Sequence, residues 1–274
     1  VRTNREFLQA QKLVGYDSRA AFVDFFDLGN AMTHWAQKDK AGERFANAAL
    51  TLAYDQPQVY TGPHKIAEEV ADGKAVVTLT HVGDGLEYKP SVDGISGFVF
   101  SDGKNTRWIE PRVEGDDRLV FEDPAIGPDT AIFYGWHGNP HETLFNSEGI
   151  PASMFSVGSG RAPRSDDPAP LVEMVRKGSP KATLNVLHVR RYVVTVAVIP
   201  RHVKETSTVR FRLPREWSGV AVELEGKAVP VREIHTDEHG RTIEFEAEAN
   251  RWSYMIYDTG NEEAAREEVD LSRT

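Results

Sequence analysis

Residues 74–82 read KAVVTLTHV, a stretch in which apolar and polar side chains largely alternate. A period of two places the apolar side chains on one face of a β-strand. Four further short runs follow: SGFVFSD (96–102), TRWIEPRV (106–113), DRLVFED (117–123) and TAIFYGW (130–136). Turn signals such as Asp102-Gly103 separate these runs. Several short strands at close spacing indicate an antiparallel β-sandwich, which we place at residues 61–157.

A second β block follows the first. The intervening residues 158–180 are rich in Gly, Ser and Pro, and we interpret them as a linker. Residues 181–258 are predicted to form a second small β-sandwich of six strands: ATLNVLHV, RYVVTVAVIP, TVRFRLP, GVAVELEG, RTIEFEAE and WSYMIYD. Residues 259–274 form a charged tail, which we expect to be frayed or loosely helical.

The N-terminal part, residues 1–60, has a different pattern. Residues 20–29 (AAFVDFFDLG) read as a buried strand, and residues 38–54 as an amphipathic helix. The predicted apolar face of this helix contains Ala41, Phe45, Ala48, Ala49 and Leu52, and the predicted solvent face contains Lys38, Lys40, Glu43 and Arg44. Strand, loop and helix in this order are typical of the last βα unit of a doubly wound sheet. The predicted fold class is therefore α+β, with a C-terminal βα piece followed by two antiparallel β-sandwiches.

The composition excludes several classes of protein. A hydrophobic content of 40% with 27% charged residues is typical of a soluble globular chain. No apolar run approaches the ~20 residues that span a bilayer, so we expect no membrane partner. A net charge of −10 without a compact basic patch argues against binding to nucleic acid. The absence of cysteine excludes disulfides, thiolate metal sites and a Cys nucleophile.

The first residues also bear on what the chain is. The sequence begins VRTNREFLQAQ, with neither Met nor a signal-peptide pattern. We therefore expect a processed product or a piece of a longer protein. We also expect a secreted or periplasmic location, which the absence of cysteine permits.

Two stretches carry a resemblance to a known family. The first contains, in order, Asp27-Leu28-Gly29, His34, Lys40, Gly42-Glu43-Arg44, Ala48-Ala49, Tyr54 and Gly62-Pro63. The second, residues 133–155, reads FYGWHGNPHETLFNSEGIPASMF. Together they resemble the sialate O-acetylesterase family, which are carbohydrate esterases of the SGNH-hydrolase type. The resemblance covers roughly residues 1–157, and it implies that residues 1–60 close an SGNH (flavodoxin-like) hydrolase domain.

The resemblance implies ester hydrolysis, in which O-acetyl groups are removed from an acetylated carbohydrate substrate. In the family the nucleophile is a Ser in a Gly-Gln-Ser-Asn-like motif, and these 274 residues contain no such motif. Ser96 lies in Gly-Ile-Ser-Gly but lacks the strand-to-helix context of a nucleophile elbow, so we do not expect it to be the nucleophile. The nucleophile and the oxyanion-hole donors are expected from an N-terminal catalytic segment or subunit. We expect no cofactor and no metal.

His34 matches the general base of the family. Its role by resemblance is to take the Ser proton and return it to the leaving alkoxide. The family's acid lies two or three residues before the His, where this sequence has Met32 and Ala31, and Trp35 replaces the family's Pro. Loss of the orienting carboxylate costs about 10⁴ in rate in serine proteases. Asp27 is the candidate substitute acid. The alternative is that His34 is a relic in a non-catalytic homologue.

The second stretch supplies two candidate substrate-binding residues. Trp136 has a ring that can stack on a sugar, although Trp in a β-sandwich more often lies in the core. Asn146 is the other candidate, and its alternative role is to brace the turn into Gly149. His137 and His141 are four residues apart, but an intervening Gly and Pro preclude a regular helical metal-binding face.

The sequence therefore favours the C-terminal portion of a sialate-type carbohydrate O-acetylesterase that is inactive by itself. The alternative is a degenerate, non-catalytic homologue that acts as a carbohydrate-binding or protein-interaction module. A third possibility is a processed subunit that stays associated with its N-terminal half. An exposed apolar face on residues 20–54 would favour a partner chain or a truncation.

Overall fold

The computed structural model describes residues 20–28, 38–89, 96–136, 142–160, 172–174, 182–200, 206–237, 240–248 and 251–271. The chain is β-rich, as predicted: these residues form nineteen strands and two α-helices. They divide into two compact units, of which the first holds the described residues up to 160 and the second those from 172 onward. Neither described helix is long and apolar enough to cross a bilayer.

The described residues of the first unit form ten strands, and all the pairings among them are antiparallel. They are β1 (His64–Ala71), β2 (Lys74–Thr80), β3 (Leu86–Tyr88), β4 (Phe98–Ser101), β5 (Thr106–Trp108), β6 (Arg112–Glu114), β7 (Arg118–Glu122), β8 (Ala131–Tyr134), β9 (Leu144–Asn146) and β10 (Phe155–Gly158). The first sheet has the order β1-β2-β7-β6, the second sheet has the order β10-β8-β4-β5, and β3 pairs with β9.

Side chains from both four-stranded sheets of this unit fill one core. The alternation that opened the sequence analysis buries Val77 of β2, and Leu119 of β7 lies in the same cluster. From the second sheet, Phe98 packs against Tyr134 with ring centroids 4.7 Å apart, and it reaches Phe121 of the first sheet at 5.2 Å. Burial of large apolar side chains at this density stabilises each by about 1.5–3 kcal/mol.

The helix predicted from residue 38 is α1 (Lys38–Ala53), but its buried face differs from the prediction. Ala41 and Ala48 are buried as expected, whereas Phe45 is 57% exposed. Arg44, predicted to face solvent, is buried. The apolar pattern alone gave the wrong face because Arg44 finds acidic and carbonyl partners before the helix, which compensate its burial.

Residues 20–28 do not form the predicted strand. They run without regular structure to a 3-10 turn at Phe26–Leu28. A strand requires a neighbour for its N–H and C=O groups, and no sheet of the described residues includes this segment. The segment is nevertheless packed against the rest of the unit, since the side chains of Asp24 and Leu28 are both almost fully buried.

The second unit contains nine described strands. They are β11 (Val172–Met174), β12 (Ala182–Val189), β13 (Val193–Pro200), β14 (Thr206–Arg212), β15 (Ala221–Leu224), β16 (Lys227–Val229), β17 (Val231–Asp237), β18 (Gly240–Glu248) and β19 (Arg251–Tyr257). One sheet has the order β11-β14-β18-β17 and the other β12-β13-β19-β15-β16. Phe245 and Tyr254, one from each sheet, pack with ring centroids 5.5 Å apart. Strand β11 lies within the stretch interpreted as a linker.

Most of the charged tail, which we expected to be frayed or loosely helical, is a regular helix. Residues Glu262–Leu271 form α2, an α-helix. Ala265 and Val269, one helical turn apart, pack against Val193 and Tyr257. This i, i+4 apolar pair was overlooked among the surrounding charges, and its burial anchors the helix.

Asp258 organises the entry into α2. Its carboxylate accepts hydrogen bonds from the backbone N–H groups of Ser218, Gly219 and Gly260 and from the side chain of Asn261. Burial alone would raise the pKa of the Asp258 carboxyl, but these hydrogen bonds outweigh burial and hold the pKa below its ordinary 3.8.

We predict that Asp258→Asn destabilises the second unit by about 2 kcal/mol at pH 7. Because the folded-state pKa is lowered, the charged carboxylate stabilises the fold above its ordinary pKa, and this contribution is lost as the pH falls through the folded value. The difference between the two proteins should therefore shrink as the pH falls from 5 towards 2. Calorimetry across this pH range measures it, and a difference that is independent of pH would contradict the assignment.

Candidate functional site

The sequence-predicted general base lies outside the described residues. His34 belongs to residues 29–37, of which the structure describes nothing, and the same holds for His137 and His141. The structure describes the segments on either side of residues 29–37, namely residues 20–28 and α1. It also describes the second family-like stretch from residue 142 onward.

Asp27, the candidate substitute acid, is paired with Arg44 of α1. Arg44 donates from Nη1 to Asp27 Oδ1 at 2.8 Å and from Nη2 to Asp27 Oδ2 at 2.5 Å. The two side chains are only 10% and 19% exposed, respectively. Arg44 Nη1 also donates to the backbone carbonyl of Asp24 at 2.8 Å. Both carboxylate oxygens of Asp27 therefore have a cationic partner in this structure.

Asp24 links this region to the second family-like stretch. The hydroxyl of Ser153 donates a hydrogen bond to Asp24 Oδ2, across 129 residues of sequence. Asp24 is 2% exposed and Ser153 is 0% exposed. The backbone N–H of Ser153 donates to the carbonyl of Pro63 at 3.0 Å. A buried carboxylate requires such hydrogen-bond donors, because without a partner its burial would favour the protonated, neutral form.

A second polar cluster lies at the start of β1. His64 is buried, and its Nε2 lies 2.9 Å from the hydroxyl of Thr61. Its ring is 5.2 Å from that of His81 and 6.5 Å from that of Phe22. His81 has a left-handed backbone with φ of 60°, and desolvation lowers the pKa of its imidazole. The cluster places His64 beside Phe22, which lies in the described segment that precedes His34 in the sequence.

Asn146 is fully buried at the end of β9. Its Nδ2 donates to the carbonyls of Thr61 and His81, both at 3.3 Å. Its Oδ1 accepts from the backbone N–H of Ile150 at 2.8 Å. These contacts fit the alternative role of bracing the turn. They close the turn through Gly149 and hold it to the backbone at Thr61 and at His81.

Trp136 is 9% exposed and packs with Ala131 and Phe133 in a small apolar cluster. Its ring centroid lies 5.0 Å from that of Phe133. Ser96 is also buried: its hydroxyl accepts from the N–H of Phe98 and donates to the carbonyl of the same residue, both at 3.1 Å. Both contacts hold the Ser96 hydroxyl in a local turn just before β4.

The structure connects Asp24, Arg44 and Ser153, none of which was among the predicted site residues. His64 was not among them either, and its ring lies near that of Phe22. One signal was available for Asp24, a charged residue inside the aromatic run AAFVDFFDLG. Arg44 and Ser153 lie in the two family-like stretches, but nothing in either stretch indicated their partners, which are distant in sequence. No group of His and acidic residues among those described is arranged to hold a metal ion.

No known protein-family model matches this chain, and no curated protein matches it. Among solved structures, the chain is similar to a carbohydrate acetylesterase from Xanthomonas citri, with 28% sequence identity and a TM-score of 0.42. The alignment covers 48% of this chain and 31% of that protein. The chain thus spans less than a third of the length of the solved structure it matches.

Proposed function

We propose that this chain is the C-terminal portion of a sialate-type carbohydrate O-acetylesterase and that it carries the general base His34. The observation that carries the proposal is the buried hydrogen bond between Ser153 and Asp24. Ser153 lies in the second family-like stretch, and Asp24 lies three residues before the first. The second family-like stretch therefore lies next to the residues that lead into the first. A site formed by both stretches would require this proximity, which supports the proposal that they share one function.

In the proposed reaction, the imidazole of His34 accepts the proton of a serine hydroxyl as that oxygen attacks the acetyl carbonyl. The same proton is then returned to the sugar alkoxide as the C–O bond breaks. Water hydrolyses the acetyl-enzyme in a second cycle of the same proton transfers. The serine and the oxyanion-hole donors come from a catalytic segment or subunit outside these 274 residues.

The surface of α1 supports an association of this kind. Phe45 and Leu52 of α1 are 57% and 40% exposed, and Tyr54, directly after the helix, is 67% exposed. Ala41 and Ala48, which lie one helical turn before Phe45 and Leu52 on the same apolar face, are buried within the first unit. An apolar face that the first unit covers only in part is typical of an element that packs against a further layer or partner. An exposed apolar face at residues 20–54 is what a partner chain or a truncation would leave.

The ion pair of Asp27 favours a second candidate function. Because Arg44 occupies both oxygens of Asp27, this carboxylate is already partnered without an imidazole. The second candidate is therefore the non-catalytic homologue, in which the chain binds acetylated carbohydrate or a protein partner without hydrolysing it.

The test is an esterase assay on the natural gene product that contains this sequence. Hydrolysis of p-nitrophenyl acetate and of O-acetylated sialic acid is measured for the wild-type protein, His34→Ala and a control, His235→Ala, on β17 of the second unit. We expect His34→Ala to lower kcat by at least about 1000-fold and His235→Ala to leave it unchanged.

Equal activity of His34→Ala and the wild type would contradict the catalytic role of His34. A gene product that has no esterase activity but binds O-acetylated sugar in calorimetric titration would instead establish the binding function.

A further inference from the structure

Arg44 connects three parts of the first unit through buried polar contacts. It extends from α1 and reaches the carbonyl of Asp24 and the carboxylate of Asp27. Through the Asp24 side chain, the connection continues to Ser153. Residues 24–28 are thereby held to the helix on one side and to the second family-like stretch on the other.

The guanidinium geometry makes this a directional contact. The planar fork of Arg presents two parallel N–H groups to a carboxylate, which fixes orientation as well as distance. Because the pair is mostly buried, its mutual attraction is less screened than that of a surface pair. Removal of one member leaves the other as an unpaired buried charge, so the segment would have to move to find new partners.

We infer that Arg44 is a positioning residue, which fixes residues 24–28 and thereby the start of the sequence that leads to His34. The inference rests on the proposed function. In it, Asp27 acts as the partner of Arg44 and not as the carboxylate that orients the imidazole. A misplacement of about 1 Å at a reacting group can cost about 100-fold in rate, so a loosened anchor should appear in kcat.

The two roles of Asp27 predict different outcomes in a double-mutant cycle. If Asp27 acts through Arg44, then Asp27→Asn and Arg44→Met remove the same interaction, and the double variant loses no more than either single one. If Asp27 orients the imidazole, Asp27→Asn alone costs about 10⁴ in kcat, and the loss from Arg44→Met adds to it.

The experiment measures kcat and KM for O-acetyl ester hydrolysis by the full gene product. The variants are Arg44→Lys, Arg44→Met, Asp27→Asn and the double variant, each assayed well below its own unfolding temperature. The control is Arg107→Met, since Arg107 forms an ion pair of the same 2.5 Å length with Asp123 at the exposed edge strand β5. If Arg44→Met does not fold, Arg44→Lys and Asp27→Asn carry the test.

We expect kcat to fall about 100-fold in Arg44→Met and in Asp27→Asn, with KM within about twofold of wild type. Arg44→Lys should recover about tenfold of the loss, because an ammonium keeps the charge but not the fork. Unchanged kcat in either folded single variant would overturn the inference, as would additive losses in the double variant. A wild-type protein without esterase activity would contradict the proposed function itself, whereas an active wild type with insensitive Arg44 variants contradicts only the inference.

Discussion

Gly62→Ala should lower the free energy of unfolding of the first unit by about 3 kcal/mol or more. A Cβ at this position would lie 1.9 Å from the carbonyl oxygen of Pro151 and 2.8 Å from that of Ile150. Both obstacles are backbone atoms, which no rotamer change can move. The close approach explains why a glycine precedes Pro63 and faces the turn of the second family-like stretch.

Gly42→Ala is the matched control, because it makes the same chemical change at an unobstructed site. Gly42 lies inside α1, and a Cβ there would meet nothing within 4 Å. Alanine in a helix interior is favoured over glycine by about 0.5–1 kcal/mol, so this variant should be slightly more stable than wild type. Calorimetry of the two variants measures both effects. A Gly62→Ala protein that unfolds at the wild-type temperature would contradict the geometry at Pro151.

The strands were predictable because their signal is local. Alternation within KAVVTLTHV defines which side chains of β2 are buried. The whole pattern lies within the seven residues of the strand, so no distant part of the sequence is needed to detect it. The run at residues 106–113 was harder to interpret, since it divides into β5 and β6, which belong to different sheets. Pro111 lies between them and cannot donate to a ladder, so a reading of this residue could have separated the two strands.

The site was much less predictable, because its partners are not local. Arg44 is spaced along the helix with the buried residues Ala41 and Ala48, but its charge is typical of a surface residue. Whether it is buried depends on the Asp27 carboxylate, which only the folded chain brings next to it. The contact of Asp24 with Ser153 spans 129 residues. A single sequence contains both residue types but nothing that pairs them. The resemblance marked the two stretches as related, and the structure supplies a contact between them, the hydrogen bond from the backbone N–H of Ser153 to the carbonyl of Pro63.

The other large effect is expected from Asn146→Ala, which should destabilise the first unit by about 3 kcal/mol. The change removes the acceptor of the Ile150 N–H and the donor to the carbonyls of Thr61 and His81. Each buried polar group left without a partner costs about 1–3 kcal/mol, and the missing amide leaves a cavity as well. Thermal and urea unfolding measure the loss.

Asn47→Ala is the control for this substitution, because the Asn47 amide makes one exposed hydrogen bond, to the carbonyl of Val59 at 3.0 Å. Its loss should change stability by less than about 1 kcal/mol, since alanine also favours the helix. The pair of variants further separates the two roles considered for Asn146. A brace loses stability and leaves the KM of the folded enzyme unchanged, whereas a substrate ligand raises KM and leaves stability unchanged. Because the Asn146 side chain is fully buried and its amide is hydrogen-bonded to three backbone groups, we expect the first outcome, and a stable Asn146→Ala protein with a raised KM would contradict it.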